Sequence, residues 1–222
     1  MIKNYHYIFG VFLLVFLIFS ISSESYSQVF KKGKHYLSPG LGFGIYKANT
    51  QIGDKIFSIK EVSFVFPINY EYALLDQVGL GLQLQHNLYF LPKDSSIYSR
   101  TSTNVISINN TLHFLNNDIV DIFFGISYGL STYSHHAKSN NRNETLIKGS
   151  GFSYLVFSGA KYKLTPRSSI FVSLNYNNLF TEIHTYYINS RNEFEYNREN
   201  YNINNTGFNL QTGIVMVLGS IQ

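Results

Sequence analysis

The sequence predicts an all-β fold: a transmembrane up-and-down antiparallel β-barrel of about eight strands, preceded by a cleaved signal peptide. Three observations carry this. After residue 28, apolar and polar residues alternate with period two in eight successive stretches, the mark of half-buried strands. The connections between those stretches are alternately short and long, as in barrels that cross a membrane. The polar face is built from Gly, Ser, Asn and Gln and carries few charges.

The 222 residues suit one domain. Charged residues make up 14% of them, against about 25% in soluble domains. Hydrophobic residues reach 45% and aromatics 17%, all Tyr and Phe. The apolar residues are spread out rather than gathered, which excludes both a disordered chain and a bundle of membrane helices. A net charge of +4 drawn from so few charges leaves no footprint for nucleic acid. Without cysteine there are no disulfides, no thiol catalysis and no Cys-based metal site. The run Gly40-Leu41-Gly42-Phe43-Gly44 lies inside a strand with no helix after it, so the dinucleotide reading fails and no cofactor is expected.

Residues 1–27 read as an address. Lys3 and His6 precede the apolar run Ile8 to Ile21, and Ser22, Ser23, Ser25 and Ser27 follow it. A run of 14 residues falls short of the roughly 20 that span a bilayer. Cleavage is expected near Ser27–Gln28, which leaves a barrel domain over 28–222.

The eight stretches follow in order. The first sets Leu37, Leu41, Phe43 and Ile45 against Gly40, Gly42 and Gly44. The second sets Val62, Phe64, Phe66, Ile68, Tyr70 and Tyr72 against Ser63, Val65, Pro67, Asn69 and Glu71. The third sets Leu80, Leu82, Leu84 and Leu88 against Gly81, Gln83, Gln85 and Asn87. The fourth opposes Ile106, Ile108, Leu112 and Phe114 to Ser107, Asn109, Thr111 and His113. The fifth opposes Ile122, Phe124, Ile126, Tyr128 and Leu130 to Gly125, Ser127, Gly129 and Ser131. The sixth opposes Phe152, Tyr154, Val156, Ala160 and Tyr162 to Gly151, Ser153, Gly159 and Lys161. In the seventh, Ile170, Val172, Leu174 and Tyr176 stand against Ser173, Asn175 and Asn177; in the eighth, Phe208, Leu210, Ile214, Met216 and Leu218 stand against Asn209, Gln211 and Gly213.

Short connections are expected at 74–77, 116–119 and 165–168, which contain Asp76, Asn116-Asn117-Asp118 and Pro166. Long loops are expected at 47–58, 90–102, 134–149 and 181–205. An even strand count puts both termini at the short-turn end, the periplasmic side of an outer membrane.

Alternation alone does not say which face is outside, because a soluble barrel alternates too. A water-facing surface is rich in Lys, Glu and Asp, and this polar face is not. The apolar face is also too large to pack inside one small barrel. It therefore faces lipid, with Tyr70, Tyr72, Phe114 and Tyr162 at one interface and Phe152, Tyr154, Phe180 and Phe208 at the other. Four polar residues fall on that face: His86, Asn110, Ser158 and Thr212. Asn110 lies mid-strand, and a β-bulge at Asn109–Asn110 is expected to re-aim it.

The run Gln211-Thr212-Gly213-Ile214-Val215-Met216-Val217-Leu218 resembles the last-strand assembly signal of outer-membrane barrels. That signal sets a polar residue, a Gly and two hydrophobic residues at fixed spacing. The resemblance implies that Gln211, Gly213, Met216 and Leu218 are read by the barrel assembly machinery. Gly219-Ser220-Ile221-Gln222 follow, where the family often ends on Phe or Trp. In layout the chain is similar to the small outer-membrane β-barrel domain family, OmpX/OmpA-like eight-stranded barrels. That resemblance implies outer-membrane lipid and lipopolysaccharide as its surroundings, and carries no substrate.

Parity and strand direction bring Glu71, His113, Asp121, Lys161 and Lys163 together on the polar face near the short turns. The expectation is an ion-pair network that plugs the lumen, since buried charges persist only when paired. Phe123, Leu155, Phe157 and Phe171 also point inward and fill more of it. The alternative is a narrow small-solute pore. Some eight-stranded barrels are lipid A deacylases or acyltransferases with a His–Ser pair near the outer face. His86, Ser131, Ser134, His135 and Ser139 lie in that zone, but no spacing joins a nucleophile, a base and an orienting acid. His135-His136 has no carboxylate at metal-ligand spacing.

The long loops remain as the working surface. The third carries His135, His136, Lys138, Arg142 and Lys148 against Glu144, a basic balance suited to lipopolysaccharide phosphates. In the fourth, Tyr186, Tyr187, Tyr196 and Tyr201 alternate with polar residues. That pattern predicts a hairpin extended beyond the membrane, whose edge could pair with an extracellular protein partner. Adhesion or partner docking is the expected role.

Overall fold

A computed structural model describes residues 28–90, 97–139, 144–190, 193–196 and 201–218, with the backbone alone at 52, 97, 98, 139, 185–190, 193–196 and 201. The leader expected at 1–27 lies outside the described residues. The strands are β1 (His35–Ile52), β2 (Lys55–Ala73), β3 (Val78–Phe90), β4 (Ile97–Asn116), β5 (Val120–Ser139), β6 (Glu144–Thr165), β7 (Ser168–Ser190), β8 (Glu193–Tyr196) and β9 (Tyr201–Leu218). All pairings are antiparallel. β1 to β7 pair in chain order, and β9 pairs with both β7 and β1, which closes a ring of eight. The four-residue β8 pairs with β7 outside that ring.

Burial follows the period-two pattern. Along β2, Glu61, Ser63 and Val65 are buried while Val62, Phe64 and Phe66 are exposed. The exposed apolar residues form a belt around the ring, including Phe43, Phe64, Leu84, Ile106, Leu130, Phe152 and Phe208. An apolar surface this continuous is stable only against lipid. The inward face holds Ser, Thr, Asn and Gln, together with buried Tyr36, Tyr46, Tyr89 and Tyr133.

At one end the turns are tight and span 74–77, 117–119 and 166–167. The opposite end departs from the expected long loops. β1 and β2 run on to a two-residue turn, Gly53–Asp54, where Gly53 takes φ +57°, a left-handed conformation that favours glycine. β5 continues to Ser139, and β6 begins at Glu144. β7 reaches Ser190 and folds back as β8, with Tyr187 opposite Tyr196. The polar residues read as loops thus continue the ladders, because alternation with Tyr, Ile and Thr still satisfies a strand.

The bulge expected at Asn109–Asn110 is absent: Asn109 faces Ser127 and Asn110 faces Ile126 in regular register. The irregularity lies between His113 and Leu115 and leaves both Phe114 and Leu115 exposed. Asn110 needs no re-aiming, because its Nδ2 donates to Tyr128 Oη at 3.2 Å. The other outward polar groups are also satisfied. His86 Nδ1 meets Asn104 Oδ1 at 2.7 Å, Ser158 Oγ donates to the Phe123 carbonyl at 3.2 Å and Thr212 Oγ1 to that of Phe171 at 2.9 Å. Hydrogen bonding is what lets a polar group sit on an apolar face at low cost. The β1–β2 ladder skips Gly40–Leu41 and Phe66–Pro67, beside two prolines, Pro39 and Pro67, that supply no N–H.

Candidate functional site: a packed lumen and a raised hairpin rim

At the short-turn end, four charged side chains from four strands close a cycle. His113 Nδ1 lies 2.7 Å from Asp121 Oδ1, and its Nε2 lies 3.2 Å from Glu71 Oε1. Lys161 Nζ lies 3.1 Å from Glu71 Oε2 and 3.4 Å from Asp121 Oδ2. The His113 ring and the Lys161 ammonium each therefore stand between two carboxylates, and each carboxylate between these two groups. His113, Asp121 and Lys161 are all buried, and only mutual pairing makes such burial tolerable. Gly79 makes room for the cycle, since a Cβ there would collide with the Glu71 carboxylate. Lys163 is half-buried nearer the turn, where its backbone N–H donates to the Ile119 carbonyl at 2.8 Å.

A segment ahead of β1 covers this cycle. Phe30 is fully buried and stacks on the His113 ring. Lys161 Nζ sits 5.0 Å from the Phe30 ring centroid and 5.1 Å from that of Phe123, within cation–π range. The backbone is fastened to the turns: Val29 N–H to Asn117 O, Phe30 N–H to Asn116 Oδ1, Lys32 N–H to Asp76 Oδ1 and Gly33 N–H to Ala73 O. Beside Lys161, Phe157 and Gln211 a void of about 50 Å³ remains, room for a few waters.

Amides cross the middle of the lumen. Gln83 donates to Gln85, Gln85 to Asn87, and Asn87 to Thr103 Oγ1 at 2.7 Å. Gln211 Nε2 donates to Gln85 Oε1 at 3.3 Å and to Asn209 Oδ1 at 2.8 Å, while Asn209 and Asn177 both donate to Tyr46 Oη. Above them Tyr133, Ile147 and Ile203 form an apolar cluster, with Ile183 packed against it. Glu61 lies buried near this level, and its Oε2 has no hydrogen-bond partner.

The last-strand residues divide between the faces. Gln211 is buried in the amide network and Gly213 presses against the Pro39 carbonyl, while Met216 and Leu218 are exposed. On the rim, His135 points inward and its Nδ1 meets Thr101 Oγ1 at 2.7 Å. Burial, with the neighbouring His136, holds the His135 imidazole below its ordinary pKa. His136 Nε2 pairs with Glu144 Oε1 at 2.5 Å, and Lys138 and Lys148 are exposed. Arg142 lies outside the described residues, and Tyr186, Tyr187, Tyr196 and Tyr201 are described in backbone only.

The candidate enzyme residues do not converge. Ser131 and His135 point into the barrel, His86 points out of it, Ser134 is half-buried, and the Ser139 side chain lies outside the described residues. A serine–histidine contact exists elsewhere: Ser150 Oγ and His184 Nε2 are 2.6 Å apart on the outward face. The sequence carried a faint signal for it, since both residues share outward parity on adjacent strands. Phe30 carried none, because it lies outside any alternating stretch.

The sequence matches no family model and no curated protein. The fold is similar to that of the outer membrane protease OmpT of Escherichia coli, with a TM-score of 0.53 at 12% identity, covering 89% of this chain and all of that one. It also resembles OprG of Pseudomonas aeruginosa (TM-score 0.48, 10% identity, 86% and 98% covered) and the attachment invasion locus protein Ail of Yersinia pestis (0.44, 12%, 83% and 99%). A closed ring of eight up-and-down strands and a lipid-facing apolar belt agree with the OmpT likeness: by fold, the chain is a transmembrane up-and-down β-barrel, similar to those of outer-membrane proteins.

Proposed function

We propose that the protein is a non-conducting outer-membrane scaffold that displays its raised hairpins to an extracellular protein partner. The observation that carries this is a lumen obstructed at both ends and across its middle, with a void of about 50 Å³ left inside. Phe30 and the charged cycle occupy the short-turn end, amides the middle, and the Tyr133–Ile147–Ile203 cluster the far end. In this reading the short turns and both termini face the periplasm, residues 1–27 are a removed leader, and Gln211, Gly213, Met216 and Leu218 serve the barrel assembly machinery. Strand length supports display. β6 and β7 run 22 and 23 residues, about twice the 9–11 that a membrane crossing needs. β8 ends the sheet, so among the described residues it offers an unpaired edge to a partner strand. The basic Lys138 and Lys148 face outward on the same rim, suited to lipopolysaccharide phosphates.

The test has two measurements on one protein. In planar bilayers the purified chain is expected to give no steady openings, and large stable openings would return the narrow-pore reading. Removing residues 188–196 leaves the eight-stranded ring and is expected to abolish cross-linking to a surface partner. Undiminished cross-linking would end the docking reading.

A further inference from the structure

The outer wall carries a second constellation, independent of the lumen and of the β8 edge. Ser150 on β6 and His184 on β7 both point outward, and Ser150 Oγ lies 2.6 Å from His184 Nε2. The ladder between the two strands is regular up to Ser150 opposite Glu182 and then shifts between Gly149 and Lys148. The shift leaves His184 as the extra residue between Ile183 and Thr185. A bulge of this kind re-aims a side chain, and here it leans the imidazole over Ser150. Glu182 stands opposite Ser150 and is exposed on the same face, so a carboxylate borders the pair.

Ser150 sits on the wall of a crevice. A hollow of about 520 Å³ opens along β6, β7 and β9, with Ser150, Phe152, Phe180, Glu182, Asn202 and Asn204 among its lining residues. Its lower wall is apolar: Phe152 and Phe180 are 70% and 47% exposed. Its upper wall is polar, with Asn202 next in the row that runs from Ser150 through Glu182. The buried Asn204 Oδ1 has no hydrogen-bond partner.

Height in the membrane matters most. Phe152 and Phe180 are the topmost residues of the apolar belt on their strands, and Ser150 and Glu182 are one outward step above them. One step is about 5 Å along the membrane normal. That is the boundary between acyl chains and headgroups, where the ester bonds of membrane lipids lie.

We propose that Ser150 and His184 form a nucleophile–base pair that hydrolyses acyl esters of lipids in the leaflet facing the long hairpins. The acyl chain lies along Phe152 and Phe180 with the ester carbonyl beside Ser150. His184 Nε2 takes the hydroxyl proton as Ser150 Oγ bonds to the carbonyl carbon. The amides of Asn202 and Asn204 are the side-chain donors available to the oxyanion. Collapse of the intermediate breaks the ester C–O bond, and the proton held on His184 passes to the departing lipid alcohol. Water then attacks the acyl-Ser150 carbonyl and gives its proton to His184. The carboxylic acid leaves and Ser150 recovers its hydrogen. Ester plus water becomes alcohol plus acid, with no other reactant. An acyl ester of a glycerophospholipid and one of lipopolysaccharide present the same chemistry here.

The experiment uses the full-length chain purified from membranes, with S150A and H184A prepared in parallel and each shown to be folded by its heat-modifiable gel mobility. One arm supplies vesicles of palmitoyl-oleoyl phosphatidylglycerol, the other purified lipopolysaccharide, both in heavy-oxygen water. Released fatty acid is read by mass spectrometry. In at least one arm the unaltered chain is expected to release labelled acid at least tenfold faster than either variant, and that arm identifies the source. A fluorophosphonate probe is expected to add to Ser150 and to lose at least tenfold in labelling rate in H184A. Release equal to S150A in both arms, or no adduct at Ser150 in a folded barrel, overturns the proposal. Neither result depends on conductance or on a protein partner.

Discussion

The Phe30 ring lies flat on the His113 imidazole, with centroids 3.6 Å apart and planes 12° from parallel. A residue upstream of the first strand is thereby joined to the bulge of β4. The contact also puts an aromatic face within 5.0 Å of the Lys161 ammonium. The segment ahead of the barrel is part of its interior.

Phe30→Ala removes the contact and leaves a cavity at the short-turn end. Large-to-small changes at buried aromatic sites cost about 3–5 kcal/mol. The denaturant midpoint in micelles should fall accordingly with the slope unchanged, and an unaltered midpoint would show that the segment is only loosely seated.

Lys161→Met leaves Glu71 and Asp121 facing each other across His113. Breaking a buried ion pair from one side costs about 3–5 kcal/mol. The triple change K161M, E71Q and D121N removes the stranded charges and should recover most of that loss. Unfolding curves of the three proteins decide it, and a triple variant no better than the single one contradicts the account.

Glu61→Gln should stabilise the barrel. The Glu61 Oε2 is buried without a partner, and Ser63 Oγ and Asn205 Oδ1 are likewise without partners. Replacing a buried carboxyl group that has an unpaired oxygen removes a penalty of about 1–3 kcal/mol. A lower midpoint for E61Q would indicate that the carboxylate is held by something else.

His135 makes the rim sensitive to acid. Burial lowers its pKa in the folded chain, with His136 adding to the effect, so below about 6.5 the unfolded chain binds the proton and the folded one resists it. Stability is therefore complete above that pH and falls as the pH drops from there toward the lowered folded value. Amide protection factors along the Thr101–His135 pairing, corrected for intrinsic exchange, should fall between pH 7 and 5, and H135Q should flatten the dependence.

The ring, its register direction and its lipid face were legible because period two is a one-dimensional signal. The same parity placed Glu71, His113, Asp121 and Lys161 on one face near the tight turns, where the structure joins them. Tyr36 and Tyr46 share the parity of Gly40, Gly42 and Gly44, and the structure buries both in the lumen. Three features needed three dimensions. Phe30 reaches the lumen only because Asn116 and Asp76 fasten its backbone. No bulge lies at Asn109–Asn110, because hydrogen bonding to Tyr128 frees Asn110 from needing one, and the irregularity falls at His113–Leu115 instead. The Ser150–His184 contact depends on a register shift that no spacing in the chain announces.

Gln211 sits in the strand that shuts the ring, and its amide reaches Gln85 on the far wall of the lumen. Until β9 is seated between β7 and β1, that amide and its neighbours have only water to bond. Seating the strand exchanges those waters for Gln85 on β3 and, at Asn209, for Tyr46 on β1 and Asn175 on β7 in one motion. Insertion of the final strand and drying of the interior are then a single event, and a half-zipped barrel would stay wet, loose and open to recognition as unfinished.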